Sequence, residues 1–476
     1  MDTLDFLDML IRTLGALHAA VAVFYVRNSR GAIAWAGGLL FLPYLTLPLF
    51  WAFGPRRFFN YRKKILQAGA IYEQGRGNAL SGGMHHGDHH FSLPPPFEDD
   101  QLFFQRLSGG EFCTGNRIDV FRSGEEYFST LLAEIEKARE YIFLQFYIVR
   151  ADEAGNELAE LLAKKSGEGV RIYFLFDQIG SAWLSRKYIK RLRAAGVHIE
   201  SFRTNRWFRN PFLLNFRNHR KIVVCDSKVA FIGGSNIGRE YFQLTRRFKR
   251  WRDTDIQIRG PVIADIQRSF EKDWFWATEQ RLPGIHTSCE PAEENLSVIA
   301  IPTGPVSELD EGSLLFHHLI TLSQKRVWIA SPYLVPDSGI IQALQLAVLR
   351  GVDVRILLPT IWDHPLVSLA TAFYAREMVT SGARVYRYQP GFMHQKALLI
   401  DEDFSLVGTP NLDNRSLHIN FEIALLVHGR DFAKKCEEML EDDFKNSVEL
   451  TEERFLRESQ AFVLATRFAR LFSPLL

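Results

Sequence analysis

One sequence feature occurs twice and sets the frame for the whole chain. His219-Arg220-Lys221 is followed by four residues and Asp226, then by six residues and Gly233-Gly234-Ser235-Asn236. Near the C-terminus His394-Gln395-Lys396 is followed at the same intervals by Asp401 and by Gly408-Thr409-Pro410-Asn411. A lone H-x-K carries no information in a chain of 476 residues. Two copies with every internal spacing kept indicate an internal duplication, and so a fold built from two equivalent units.

The echo extends beyond the motifs. In the first half the apolar stretch Tyr141 to Tyr147 reads as a strand, Gly155 to Lys165 as a helix and Val170 to Phe176 as a strand. In the second half Arg326 to Tyr333, Ile340 to Arg350 and Val352 to Leu358 repeat that order. A further helix, near Tyr188 to Ala195 and near Ala370 to Ser381, precedes each motif. Strands alternating with helices predict an α/β fold with mixed or parallel sheets under helices. Downstream, Trp251 to Gly260 aligns without a gap on Asn420 to Gly429, which pairs Asp253 with Glu422. Phe270 to Trp274 has a weaker counterpart around Glu441 to Phe444. Two homologous lobes, about 101–288 and 289–476, related by a pseudo-two-fold axis, would bring the two motif strands side by side.

The N-terminal region is of another kind. The stretch from Ala32 to Phe53 holds no charged residue, long enough for a helix across a hydrocarbon core of about 30 Å. Pro43 and Pro48 would kink it, which membrane helices tolerate. Leu4 to Val26 is also mostly apolar, although it carries Asp5, Asp8, Arg12 and His18. Two transmembrane helices over about 4–26 and 32–53 are therefore expected, within a membrane anchor covering 1–64. The acidic start argues for a retained anchor and against a cleaved signal peptide. Arg56, Arg57, Arg62, Lys63 and Lys64 after the second span outnumber Arg27 and Arg30 between the spans. Positive charge favours the cytoplasmic side, which puts the bulk of the chain there. Residues 65–100 read as a linker, rich in glycine, then histidine, then Pro94-Pro95-Pro96. Its histidines have no rigid element to fix ligand geometry. The four cysteines are scattered without paired spacing, which predicts neither a disulfide framework nor a zinc site.

The chemistry follows from side-chain direction. Two residues apart on a strand, His219 and Lys221 leave the same face, as do His394 and Lys396. If the lobes meet at the motifs, two imidazoles, two ammonium groups and the amides of Asn236 and Asn411 surround one anion site, and phosphate is the natural occupant. One neutral histidine would attack phosphorus while the other, protonated, donates to the leaving alcohol. Lys221, Lys396, Asn236 and Asn411 would bind the phosphate oxygens. Asp253 and Glu422 are suited to accept the second ring N–H of the histidines and fix their tautomers. Asp226 and Asp401 end the motif strands; they serve either catalysis or turn and interface structure, and are counted here with the catalytic set. No His/Asp/Glu/Cys set near the motifs has ligand spacing, and the lysines would repel a cation, so no metal is expected.

The duplicated H-x-K-x4-D with G-[GT]-x-N resembles the phospholipase D superfamily. The membrane-anchored start, Trp251-Arg252-Asp253-Thr254, Asn420-Phe421-Glu422 and the terminal Ser473-Pro474-Leu475-Leu476 are similar to those of bacterial cardiolipin synthases. The resemblance covers nearly the whole chain apart from the linker. It implies a two-lobed α/β fold, no cofactor, the cytoplasmic membrane, and condensation of two phosphatidylglycerol molecules into cardiolipin and glycerol through a phosphatidyl-histidine. It also implies His219 as nucleophile and His394 as acid, then base. The second copy departs in having Gly408-Thr409 where glycine-serine is more usual, and threonine keeps the hydroxyl.

Outside the motifs, Arg203 to Arg217 interleaves arginines with bulky apolar residues, a pattern suited to anionic lipid at a membrane interface or to a partly buried loop. Arg246, Arg247, Lys249, Arg250 and Arg252 form a second basic run, either lipid-attracting or a solvated face. Mixed basic and aromatic residues also fit nucleic acid, but the spans and a net charge of +2 weigh against a nucleic-acid partner. A lipid hydrolase using water as acceptor is the nearest rival to a transferase, ahead of a nuclease and of a lipid-binding scaffold with a vestigial site.

Overall fold

A computed structural model of the chain describes residues 3–26, 29–53, 67, 70, 89–202, 216–243, 245, 248–283, 290–305 and 309–476. The basic cluster within 56–64, most of the linker, the basic and aromatic stretch 203–215, and Arg246 with Arg247 fall outside the described residues.

Fifteen strands form one sheet. The first half contributes β1 (Cys113–Phe121), β2 (Tyr141–Phe146), β3 (Arg171–Asp177), β4 (His198–Phe202), β5 (Ile222–Cys225), β6 (Val229–Gly233) and β7 (Asp255–Arg259). The second contributes β8 (Leu296–Thr303), β9 (Arg326–Ala330), β10 (Asp353–Pro359), β11 (Arg384–Tyr388), β12 (Ala397–Ile400), β13 (Phe404–Gly408), β14 (Glu422–His428) and β15 (Ser447–Glu449). Outward from the middle, the sheet runs β1-β7-β6-β5-β2-β3-β4 on one side. On the other it runs β8-β14-β13-β12-β9-β10-β11, with β15 added at the edge. Both halves thus follow one strand order. β1 and β8, which the sequence reading does not place, pair antiparallel and join the halves into a single sheet.

The local reasons are plain in the strands. β2 is Tyr-Ile-Phe-Leu-Gln-Phe, buried at every position, and it pairs in parallel with β3, which pairs in parallel with β4. β9, β10 and β11 do the same in the second half. Strands covered on both faces read as continuous apolar runs, because no face is left for water. One face of the sheet has a core common to both halves, where Ile256, Phe270 and Trp274 join Ile423, Leu425 and Met439. On the other face each half has its own core. The helices Ile263–Thr278 and Arg430–Lys445 lie on the shared face, following β7 and β14.

The N-terminal helix α1 (Thr3–Tyr25) is 23 residues long and apolar enough to cross a membrane by length and composition. The second expected span departs from a single helix over 32–53. It is α2 (Ser29–Phe41) and α3 (Pro43–Phe53), interrupted at Leu42. Pro43 has no N–H to donate and disfavours helical backbone at the residue before it. Ala22, Leu39, Leu47 and Phe50 pack the three helices together. Gly15 allows the contact, since a Cβ there would lie 2.4 Å from the Leu39 carbonyl oxygen.

Candidate active site

The two motifs meet by exchange between the halves. The segment Gly391–Met393 pairs in parallel with Arg250–Arg252, and the His394 amide donates to the Arg252 carbonyl at 2.7 Å. Reciprocally, the His219 amide donates to the Phe421 carbonyl at 2.9 Å, and the Phe421 amide to Arg217 at 2.8 Å. Each histidine is thereby laid against the acidic residue of the opposite half. His219 Nδ1 lies 2.9 Å from Glu422 Oε2, and His394 Nδ1 lies 2.7 Å from Asp253 Oδ2. The crossing fixes the tautomer: an ionised carboxylate accepts a hydrogen bond, so each Nδ1 carries a proton and each Nε2 is turned to the opposite side.

The remaining expected residues divide in two. Lys221 and Lys396 are buried beside their histidines. Lys221 donates to the His219 carbonyl at 2.6 Å, and Lys396 donates to the His394 carbonyl. Asn236 accepts from the Ile148 amide at 3.0 Å and donates to the Tyr241 hydroxyl at 3.2 Å. Asn411 donates to Asp413 at 3.1 Å. In both asparagines Nδ2 carries a second N–H for an anion. Asp226 and Asp401, expected among the catalytic residues, are placed elsewhere. They follow the far ends of β5 and β12, with left-handed φ of 53° and 51°. Each carboxylate is taken up by three successive backbone amides, those of Arg139, Glu140 and Tyr141 for Asp226 and those of Gln324, Lys325 and Arg326 for Asp401. They cap the strands β2 and β9.

Residues 131–274 and 316–444 match the family described as cardiolipin synthase, phospholipase D-like domain. A relative named cardiolipin synthase A from Pseudomonas putida (strain GB-1) is 42% identical over 98% of this chain and 97% of its own length. The chain belongs to the cardiolipin synthase family. A second relative of that name, from Pseudomonas aeruginosa (strain LESB58), is 40% identical over 98% of this chain and 95% of its own. The crystal structure of a phosphatidylserine synthase from Haemophilus influenzae Rd KW20 aligns with a TM-score of 0.63 at 15% identity. It covers 80% of this chain and 99% of that one, and the likeness is one of fold.

A layer beneath the histidines was not found by reading the motifs. Arg220 donates to Asp273 at 2.8 Å, to the Glu422 carbonyl at 2.9 Å and to the Thr303 carbonyl at 3.0 Å. Asn218 also donates to Asp273, at 2.7 Å. In the other half Arg252 and Gln395 both donate to Asp443, each at 2.7 Å. These buried pairs tie the motif of one half to a strand of the other. The signal was the faint counterpart of Phe270 to Trp274 around Glu441 to Phe444, in which Asp273 answers Asp443.

Burial sets the electrostatics of this cardiolipin synthase family site. It pushes His219 down to about 4, against the upward pull of Glu422. It pushes Lys221 down to about 7, and His394 and Lys396 also fall below their ordinary values. Burial alone would raise Glu422, but its contact with His219, the charge of Lys221 and the hydrogen bond from Thr409 outweigh it and hold the carboxylate low. Thr409 Oγ1, Ser416 Oγ and Asn420 Nδ2 all donate to Glu422, at 2.6, 2.8 and 3.2 Å. The threonine at the position where glycine-serine is usual therefore orients the acid behind His219. Aromatic rings wall the site: Tyr147 lies edge-on to His219 at 5.0 Å, and Trp251 stands 5.1 Å from His394. Buried neutral imidazoles beside ammonium groups and apolar walls can attack, protonate and bind a phosphodiester with little water present.

Proposed function

We propose that the chain transfers a phosphatidyl group from one phosphatidylglycerol to the free glycerol hydroxyl of a second, giving cardiolipin and glycerol. The crossed His219–Glu422 and His394–Asp253 pairs carry this reading, because they supply two imidazoles with fixed tautomers in one lysine-lined site. His219 Nε2 attacks phosphorus, forming the N–P bond as the P–O bond to glycerol breaks. His394 gives its Nε2 proton to the departing oxygen. His394 then takes the proton of the second lipid's hydroxyl, whose oxygen attacks phosphorus and expels His219. Lys221, Lys396, Asn236 and Asn411 hold the non-bridging oxygens throughout. Asp226 and Asp401 act as structural caps.

A lipid substrate calls for a membrane surface, and two features support one. The apolar residues Leu4, Phe6, Leu17 and Phe24 of α1 are exposed, as expected of a retained anchor paired with the broken second span. The C-terminal helix Gln460–Arg470 and the turn after it expose Leu464, Phe468 and Leu471 on one side, beside Arg467 and Arg470. An apolar stripe edged by arginines suits an anionic leaflet, and the excess of basic residues after the anchor favours the cytoplasmic one. Purified protein given phosphatidylglycerol should form a four-chain lipid and release one glycerol for each. Phosphatidic acid as the sole lipid product would assign the site to hydrolysis.

A further inference from the structure

The two half-sites are not electrically equal, and the difference lies in a residue outside the duplicated motif. Asp255 begins β7, two residues after Asp253, and is buried. Its Oδ1 accepts the Ser235 amide at 3.0 Å and its Oδ2 the Ser235 hydroxyl at 2.6 Å. The gapless alignment puts Ala424 at this position in the second half and Pro410 opposite Ser235. The carboxyl and both of its donors are therefore replaced together. Gly233 and Gly234 make the room: a Cβ on the first would lie 2.0 Å from Asp255 Oδ1, and on the second 2.0 Å from Asp253 Oδ1.

The buried charges can be counted. With both ammonium groups charged, Lys221 and Lys396 balance Glu422 and Asp253, which leaves the motif set neutral with both histidines unprotonated. The reaction needs one histidine with a proton on Nε2, and adding that proton to the balanced buried set before the anionic phosphodiester enters would leave a net positive charge, which is costly away from water. Resting on the phosphatidyltransfer reading above, we propose that Asp255 is a positioning residue. It supplies a third carboxylate, so that Asp255, Asp253 and His394 together hold the one catalytic proton while His219 stays neutral and free to attack.

The surroundings of each group agree with this division. Asp255 faces Asp253, Lys396, Lys221 and the Tyr127 hydroxyl. His394 faces Asp253, Lys396 and Asp363, whose carboxylate accepts from Tyr333. His219 faces Glu422, Lys221 and Lys396, and the other donors to Glu422 among the described residues, Thr409, Ser416 and Asn420, are neutral. Burial, and next the charge of Asp253, raise Asp255 to about 7, so it exchanges a proton near neutrality. Asp177 and Asp413, also buried, face Arg217 and Arg415 respectively.

The test compares two donors on full-length protein carrying Asp255→Asn, which keeps the shape and removes the charge. Phosphatidylglycerol must have its leaving oxygen protonated, whereas phosphatidyl-p-nitrophenol expels a stable phenolate and needs no acid. The variant should lose about 10- to 100-fold on phosphatidylglycerol, with the alkaline limb of its pH profile moved to lower pH. Its first-turnover burst of p-nitrophenol should stay within about twofold of the parent rate. Equal losses on both donors, or an unmoved alkaline limb, would overturn the proposal. If the variant gives no burst because it does not fold, Ser235→Ala decides: a smaller loss confined to phosphatidylglycerol supports the assignment, and unchanged rates on both donors overturn it. Failure of the parent protein to make a four-chain lipid would instead count against the transferase reading, and the donor comparison could still be made on hydrolysis.

Discussion

Asp401 offers the sharpest test of how the repeated residues divide between chemistry and architecture. Its carboxylate receives three backbone amides at the start of β9, each at 2.8 Å, and the residue is buried. A hydrogen bond to a charged group contributes about 1.5–3 kcal/mol, and three sharing one carboxylate add to less than their sum. Asp401→Ala strands all three amides and also puts alanine at a φ of 51°, where a side chain without a local hydrogen bond costs about 1–2 kcal/mol. The total loss is about 4 kcal/mol. Asp401→Asn keeps one oxygen acceptor and tolerates the left-handed backbone, so its loss is about half as large. Both variants should therefore unfold earlier, in that order, when melting is followed by tryptophan fluorescence in detergent. Turnover per folded molecule, measured well below the transition, should stay within about threefold of the parent, since no acid–base group is touched. An Asp401→Asn protein that melts like the parent but turns over a hundredfold slower would refute the structural assignment and restore Asp401 to the chemistry.

Four further outcomes can be checked on the parent protein and its variants. Glu422→Gln keeps an acceptor for His219 but removes the charge that would stabilise the phosphorylated imidazole, and turnover should fall by about 10²-fold; both carboxylate oxygens also accept side-chain donors, so melting should fall too, as for Asp401→Asn. His219, held at about 4, is neutral above that value, so the acid limb of kcat/KM should lie below pH 5. Because its folded value is below the unfolded value of about 6.5, the unfolded state binds more protons between the two. Stability should then decline as pH falls through that window, by up to about 3 kcal/mol in all, read from denaturant titrations at stepped pH. Leu464→Asp with Phe468→Asp alters exposed positions, so melting should hold within about 0.5 kcal/mol. Activity on anionic vesicles should drop while activity on dispersed short-chain phosphatidylglycerol is kept; equal activity on both would remove this helix from the membrane contact.

What could be read from the chain alone was whatever the duplication repeats in sequence. The motif residues, the order of strands and helices around them, and the pairing of position 253 with 422 all came from comparing one half with the other. The crossing of the pairs did not, because it is made by chain exchange: Gly391–Met393 runs beside Arg250–Arg252 and Asn218 bridges to Phe421, contacts with no local signature. β1 was missed for a different reason. Its burial pattern is irregular and its pairing with β8 shifts register between Cys113 and Asn116, so neither alternation nor a continuous apolar run marks it. The backbone-capping geometry of Asp226 and Asp401 was hidden by the repeat itself, which preserves every position of the motif alike. Geometry separates them. From Lys396 to Asp401 the chain runs the length of β12, four residues at roughly 3.3 Å each, which carries the aspartate about 13 Å or more from the lysine's end of the strand. Asp253 and Glu422 stand outside the motif, yet the exchange of strands brings them within hydrogen-bond distance of the histidines. Asp255 shows the complementary limit: the alignment opposes it to an alanine, so a search for repeated residues passes over it. A two-step transfer nevertheless needs its two histidines to differ, and the difference has to come from residues the duplication does not share.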